Sequence, residues 1–454
     1  MPMDHFDETN SKKFNNRFWA NTDHYKSKGP LILYNVGESA ADDSAILVIY
    51  SAMAQLAEKL NGVVVVMEHR FYGASGPNVA SFFNHTKEDL LTFNVKQSIA
   101  DMAYLAKHIK FHNVIIPMAP QTKVIVYGCS YSGALAAWAK DTYPDLFFAA
   151  VSSSAPVQAK MDFFEYYVPI MRFGPKHCIL ALQDVITYID RILFANSTED
   201  IFALKKIFSA QNLLDESFAE LLMGNIGGSW QYGVNSSGNE FEETVCKYFP
   251  NQNTTYDDTI VHKNLISYAR YVNSYSANVY CRNSAISLDK CLVESNFTIN
   301  DLTHVSDTTA AWTWQTCCEL GYFQASPPPK LPTIVSRKFS LNYFTTMCQQ
   351  YFKKFGVPAT PNINSVNDKY KGWNIQLNNT IWIDGEWDSW RELSVNAVSH
   401  KRKTDESMKQ VSIIIPKSTH CLNVGAITEK SPQHIKDAFT QQHQTLKRWL
   451  ADEH

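Results

Sequence analysis

Residues 123–140, KVIVYGCSYSGALAAWAK, constrain this chain more than any other stretch. The short apolar run 123–127 (KVIVY), rich in β-branched residues, reads as a buried strand, and 134–140 (ALAAWAK) reads as a helix. Gly128-Cys129-Ser130-Tyr131-Ser132-Gly133 joins them, so the turn is sharp and Ser130 stands in it. A serine hydroxyl is a poor nucleophile until a base removes its proton, and such a turn presents Oγ to a base and to a substrate together.

Two later stretches offer partners. Asp388, in DGEWDSW, follows the strand-like run 380–383 (TIWI), and His420 follows the apolar run 411–415 (VSIII). Serine, then aspartate, then histidine is the chain order of the α/β-hydrolases, distinct from the orders of the chymotrypsin and subtilisin folds. Taken singly, Asp388 reads as a turn or cap residue and His420 as a satisfied histidine. All three at the ends of strand-like runs, in the required order, make a candidate triad.

The wider pattern agrees with that fold class, an α/β-hydrolase with an inserted, disulfide-containing helical cap. Runs 30–36, 63–67, 123–127 and 147–152 have the composition of buried parallel strands, with helical spacing over 44–60 and 95–110 between them. From about 158 to 340 helix-like stretches, cysteines and glycosylation sequons replace the strand runs. The expected organisation is therefore a core of 1–157, a helical insertion at 158–340 and a returning core of 341–454, closed by an amphipathic helix over 432–450.

The motifs also resemble one family. GCSYSGALAAW is similar to the GGSYGG-like elbow of the lysosomal and secreted serine peptidases that include prolyl carboxypeptidase, dipeptidyl peptidase II and thymus-specific serine peptidase. MDHFD (3–7), NNRFWAN (15–21), MEHRFYGAS (67–75), SSAPV (153–157), WQTCCELGYFQ (314–324) and THC (419–421) match further landmarks, so the resemblance runs through most of the chain. It implies a serine exopeptidase that cleaves after proline, a homodimer, and activity at acidic to neutral pH. There are departures: Cys129 and Ser132 replace glycines of the elbow, Asp384 an asparagine, Ser389 the proline of the DPW motif, and Asn423 an aspartate.

In the mechanism these residues imply, His420 takes the proton of Ser130 while Asp388 orients the imidazole. Tyr131, the residue after the nucleophile, offers the first oxyanion donor through its backbone N–H. Gly37 is the choice for the second, because Tyr34-Asn35-Val36-Gly37-Glu38 resembles the family's Y-x-G-G-E. Trp390 matches the DPW tryptophan that helps line a proline pocket, although tryptophan also buries for packing alone. Ala134 is placed near that pocket. Two roles are open to Glu319: facing the charged terminus of a substrate, or a structural salt bridge. Glu68, His69 and Arg70 read as a buried ion pair at a strand end rather than as acid–base chemistry.

Charge and cysteines bound the rest. A formal net charge of -3 gives no basic footprint for nucleic acid, and no apolar run approaches the roughly 18 residues that span a bilayer. The histidines show no metal-ligand spacing, so neither metal nor cofactor is expected. Nine cysteines, seven of them between 178 and 348, and six sequons at Asn84, Asn196, Asn235, Asn253, Asn296 and Asn378 point to the secretory route, secreted or lysosomal, with N-linked glycans. A cytosolic protein with reduced thiols is the alternative. The polar opening MPMDHFDETNSKK leads to the expectation that the sequence starts at or near a mature amino terminus. Cys129 and Cys421 flank nucleophile and base, so a bond between them is expected if the site assembles. The rival functions are a secreted esterase or lipase-like hydrolase, and a non-catalytic binding protein on the same fold.

Overall fold

The computed structural model describes residues 1–78, 81–195, 197–224, 226–235, 238–249, 258–282, 285–294 and 306–452. Its frame is a seven-stranded sheet. The strands are β1 (Phe18–Asn21), β2 (Leu31–Asn35), β3 (Val63–Met67), β4 (Val124–Cys129), β5 (Phe147–Ser153), β6 (Thr380–Gly385) and β7 (Gln410–Ile415), in the spatial order β1-β3-β2-β4-β5-β6-β7. All pairs are parallel except β1 with β3. Parallel strands need crossovers, and here helices supply them: α1 (Ala52–Lys59), α2 (Val95–His108) and α3 (Tyr131–Thr142), with α4 (Asp307–Gln315) and the closing α5 (Gln433–Ala451) further along the chain.

The central strands read as continuous apolar runs because both faces are covered. Every residue of β2, β3, β4, β5 and β6 is buried. On one side Ile32, Val64, Val66, Ile125, Val151 and Ile381 pack with Met53 and Leu56 of α1 and Phe439 and Leu446 of α5. The arrangement is that of an α/β-hydrolase. The edge strand β1 escaped the sequence reading, because it has four residues and alternates exposed with partly buried positions.

Contacts divide the chain into two compact units, Met1–Lys160 with Ser306–Gly321 and Pro361–His454, and Met161–Val305 with Tyr322–Thr360. The segment Ser306–Gly321, which holds α4, thus groups with the sheet. The second unit is mainly helical, with helices Lys176–Phe194, Thr198–Ile207, Asp215–Met223, Asp258–Val279 and Leu341–Tyr351. Its disulfides are Cys178–Cys246 and Cys281–Cys291. No helix of the described residues is long and apolar enough to cross a membrane.

Candidate active site

In open parallel sheets, loops after the carboxyl ends of the strands gather in one crevice. Ser130 follows β4, Asp388 follows β6, His420 follows β7, and Gly37 and Glu38 follow β2. Ser130 sits at φ 62°, ψ -137°, a conformation that side chains rarely adopt, immediately before the first residue of α3. Its N–H donates to the Ser153 carbonyl at 3.0 Å, and its own carbonyl accepts from Gly133 N at 2.8 Å. The tightness of the turn also fixes Gly128, where a Cβ would stand 2.0 Å from the Ser132 carbonyl oxygen.

His420 and Asp388 are both buried, and His420 Nδ1 lies 2.9 and 3.0 Å from the two carboxylate oxygens of Asp388. Asp388 in turn accepts the N–H of Trp390 at 2.8 Å, so the short 3₁₀ helix Ser389–Leu393 holds the carboxylate still. The two loops are laced together, since Trp387 N donates to the Ser418 carbonyl at 2.9 Å. The expected bond between Cys129 and Cys421 is present, with Cα atoms 5.9 Å apart. It joins the residue before Ser130 to the residue after His420. Eight of the nine cysteines are disulfide-bonded, and Cys318 is a free thiol.

Tyr131 opens α3, where the first N–H groups of a helix lack intrahelical acceptors. Its ring is fixed from several sides. The hydroxyl accepts from Gln315 Nε2 at 2.7 Å and lies 3.3 Å from His69 Nε2, while Gln315 Oε1 accepts from Tyr72 at 2.7 Å. His69 has its pKa lowered to about 4 by burial, so it serves here as a neutral hydrogen-bonding ring. Gly37 has φ +74° and packs against Ser132: a Cβ there would stand 3.2 Å from the Ser132 Cβ. The Gly37 N–H donates to Asn35 Oδ1 at 2.9 Å, and the Ser132 hydroxyl donates to the Asn35 carbonyl. The serine that replaces an elbow glycine therefore ties the loop after β2 to the elbow.

One residue of this loop was quoted in the sequence motif without a role. Glu38 is partly buried, and the burial of its carboxyl raises its pKa above the ordinary value; the charge of His420 and the side chain of Ser130 act on it in the opposite sense. Glu38 is thus a second carboxyl beside Ser130.

The other candidates are placed as follows. Trp390 is buried, its ring 6.2 Å from that of His420. Ala134 is fully buried inside α3. Glu319 accepts the N–H of Val95 at 2.9 Å at the start of α2, and burial pushes its carboxyl up to about 7, opposed by Val95 and Lys369. The MEHR residues form two ion pairs with outside partners: Arg17 with Glu68 at 2.6 Å, and Arg70 with Asp101 at 2.6 Å. Asn84 and Asn378 are exposed, and Asn235 lies in a two-residue strand. Asn196, Asn253 and Asn296 lie outside the described residues. No group of three or more potential metal ligands occurs among the described residues.

Comparison with known proteins bears on the family of the chain. The sequence profile described as serine carboxypeptidase S28 matches residues 1–440. The chain is 30% identical to the "Probable extracellular serine carboxypeptidase" of Arthroderma benhamiae, over 99% of this chain and 67% of that protein. It is 24% identical to the "Thymus-specific serine protease" of Mus musculus, over 99% of this chain and 86% of that one. Among solved structures, proline iminopeptidase from Mycobacterium smegmatis aligns over 98% of this chain and all of its own, at 12% identity and a TM-score of 0.39. The chain belongs to the serine carboxypeptidase S28 family and is a serine-type peptidase on an α/β-hydrolase fold.

Proposed function

We propose that this protein is an exopeptidase that hydrolyses peptide bonds after proline through Ser130, Asp388 and His420. The observation that carries the reading is the pairing of His420 Nδ1 with both oxygens of Asp388, on loops laced to each other and bonded to the elbow through Cys129–Cys421. Asp388 fixes the tautomer that directs Nε2 away from the carboxylate. His420 accepts the Ser130 proton as Oγ attacks the carbonyl carbon, and it then protonates the leaving amine as the acyl-enzyme forms. Water, deprotonated by the same imidazole, releases the acyl group and restores Ser130.

The oxyanion is held by the Tyr131 N–H at the start of α3. The second donor in this reading is Gly37, whose N–H turns from Asn35 Oδ1 to the oxyanion when substrate binds. Trp390 forms one wall of the proline pocket beside His420. Ala134 and Glu319 complete the substrate-binding set inferred from sequence. The name of the Arthroderma relative and the exposed sequons at Asn84 and Asn378 support a secreted or lysosomal glycoprotein, and the family resemblance supports a homodimer.

The test is mass spectrometry of the products from peptides with proline second, internal and next to last, with Ser130→Ala as control. Loss of the final residue after proline marks a carboxypeptidase, and release of an amino-terminal Xaa-Pro dipeptide marks a dipeptidyl peptidase. Cleavage that persists in Ser130→Ala, or none after proline in the wild type, overturns the proposal.

A further inference from the structure

The His420 loop is attached to the nucleophile elbow by a covalent bond that elbows with glycine at position 129 cannot make. Cys129 precedes Ser130, Cys421 follows His420, and the two cysteines lie 292 positions apart in the sequence. On both sides of this bond the backbone is held in a rarely populated conformation, with Ser130 and Cys421 each at φ 62°. Such conformations are strained and persist only where the surroundings over-determine them. The non-covalent anchors of the loop reach elsewhere. Cys421 N donates to Ser154 Oγ at 3.1 Å, Ser153 Oγ donates to Asn423 Oδ1 at 2.6 Å, and Asn423 Nδ2 donates to the Tyr127 hydroxyl at 3.1 Å. These hold the loop to β4, β5 and the residue after β5. The disulfide holds it to the residue that positions the nucleophile.

We propose that the Cys129–Cys421 disulfide is a positioning element of the active site: it sets the approach of His420 to the Ser130 hydroxyl, and turnover depends on its being oxidised. The inference rests on the triad reading above. A misplacement of about 1 Å in such a pair is enough to lower turnover about a hundredfold, while substrate binding, which uses other groups, is spared. Cys129 is buried but Cys421 is only partly so, which leaves the bond open to a small thiol. With dithiothreitol the S–S bond breaks, two thiols form, and the reductant leaves as its cyclic disulfide, having given two electrons and two protons.

The experiment compares wild type with Cys129→Ala/Cys421→Ala, reading kcat, KM and thermal melting on one ester or peptide substrate. We expect kcat to fall about a hundredfold with KM changed by no more than about twofold, and the variant still to melt cooperatively. Dithiothreitol should lower wild-type kcat by a similar factor, oxidised glutathione should restore it, and the double variant's residual rate should not respond to either. Wild-type kcat in the double variant, or a rise in KM alone, overturns the proposal. If the double variant fails to fold, reduced wild type decides: full activity, with alkylation mass mapping showing Cys129 and Cys421 as thiols, overturns it equally. Wild-type hydrolysis that does not depend on Ser130 is a different failure, that of the triad reading, and takes this inference with it.

Discussion

Asp384 and Asp388 are two buried carboxyls at the end of β6, and Asp388 is the one paired with a histidine. Asp388 receives His420 Nδ1 and the Trp390 N–H. Asp384 receives Ser394 Oγ at 3.0 Å and Asn396 Nδ2 at 2.8 Å, both on Oδ2, while Oδ1 has no hydrogen-bond partner among the described residues. Burial first, and then the charge of Asp388, push the Asp384 pKa up to about 8, so at neutral pH it is a carboxylic acid.

That shift has a sign that can be measured. The folded protein holds the Asp384 proton more tightly than the unfolded chain does, so its contribution to stability is full below about pH 4 and declines as pH rises toward 8. Asparagine, which the family pattern has at this position, keeps the shape and cannot ionise. Asp384→Asn should raise Tm by a few degrees at pH 8 and leave it nearly unchanged at pH 4, as followed by circular dichroism.

Glu38 shares the sign but sits beside Ser130. Its carboxyl is also raised by burial, so Glu38→Gln should stabilise the protein at neutral pH. The substitution also removes the carboxyl that acts on His420 and Ser130, and kcat/KM should fall at least about tenfold. Stability and activity moving in opposite directions is the expected signature in paired melting and kinetic assays.

Gly37 and Ser132 should behave as a coupled pair. Gly37→Ala places a methyl 3.2 Å from the Ser132 Cβ at φ +74° and should lower kcat/KM by about tenfold or more. Adding Ser132→Gly removes the close contact but not the backbone strain, so part of the loss should return. A double-mutant cycle should give a coupling of about 0.5–3 kcal/mol.

Ser389 occupies the place of the family's proline. It is buried, its hydroxyl has no hydrogen-bond partner among the described residues, and it is the first residue of its 3₁₀ helix. Asp388 before it has φ -66° and ψ 123°, the conformation a residue takes before proline. Ser389→Pro should therefore stabilise by about 0.4–1 kcal/mol in chemical denaturation, with turnover retained.

The sheet was legible because β2, β3, β4 and β5 are buried on both faces and spell it in continuous apolar residues. The candidate triad was legible as a pattern because Ser130, Asp388 and His420 follow strands in a diagnostic order. β1 was not, since Phe18–Asn21 is short and half-exposed at an edge. Nor was the membership of Ser306–Gly321 in the core unit, which depends on long-range contacts such as Tyr72 to Gln315 that leave no local pattern. Glu38 was visible as a letter in a motif, but its role depends on Ser130 and His420 arriving from strands far along the chain.

The central claim is that Ser130 is the nucleophile activated by His420. A fluorophosphonate, which phosphonylates only an activated serine, followed by peptide mass mapping, tests it directly. The account predicts a single adduct on the peptide containing Ser130, lost in Ser130→Ala and strongly slowed in His420→Ala. An adduct on another serine, or labelling of Ser130 at the same rate without His420, would contradict it.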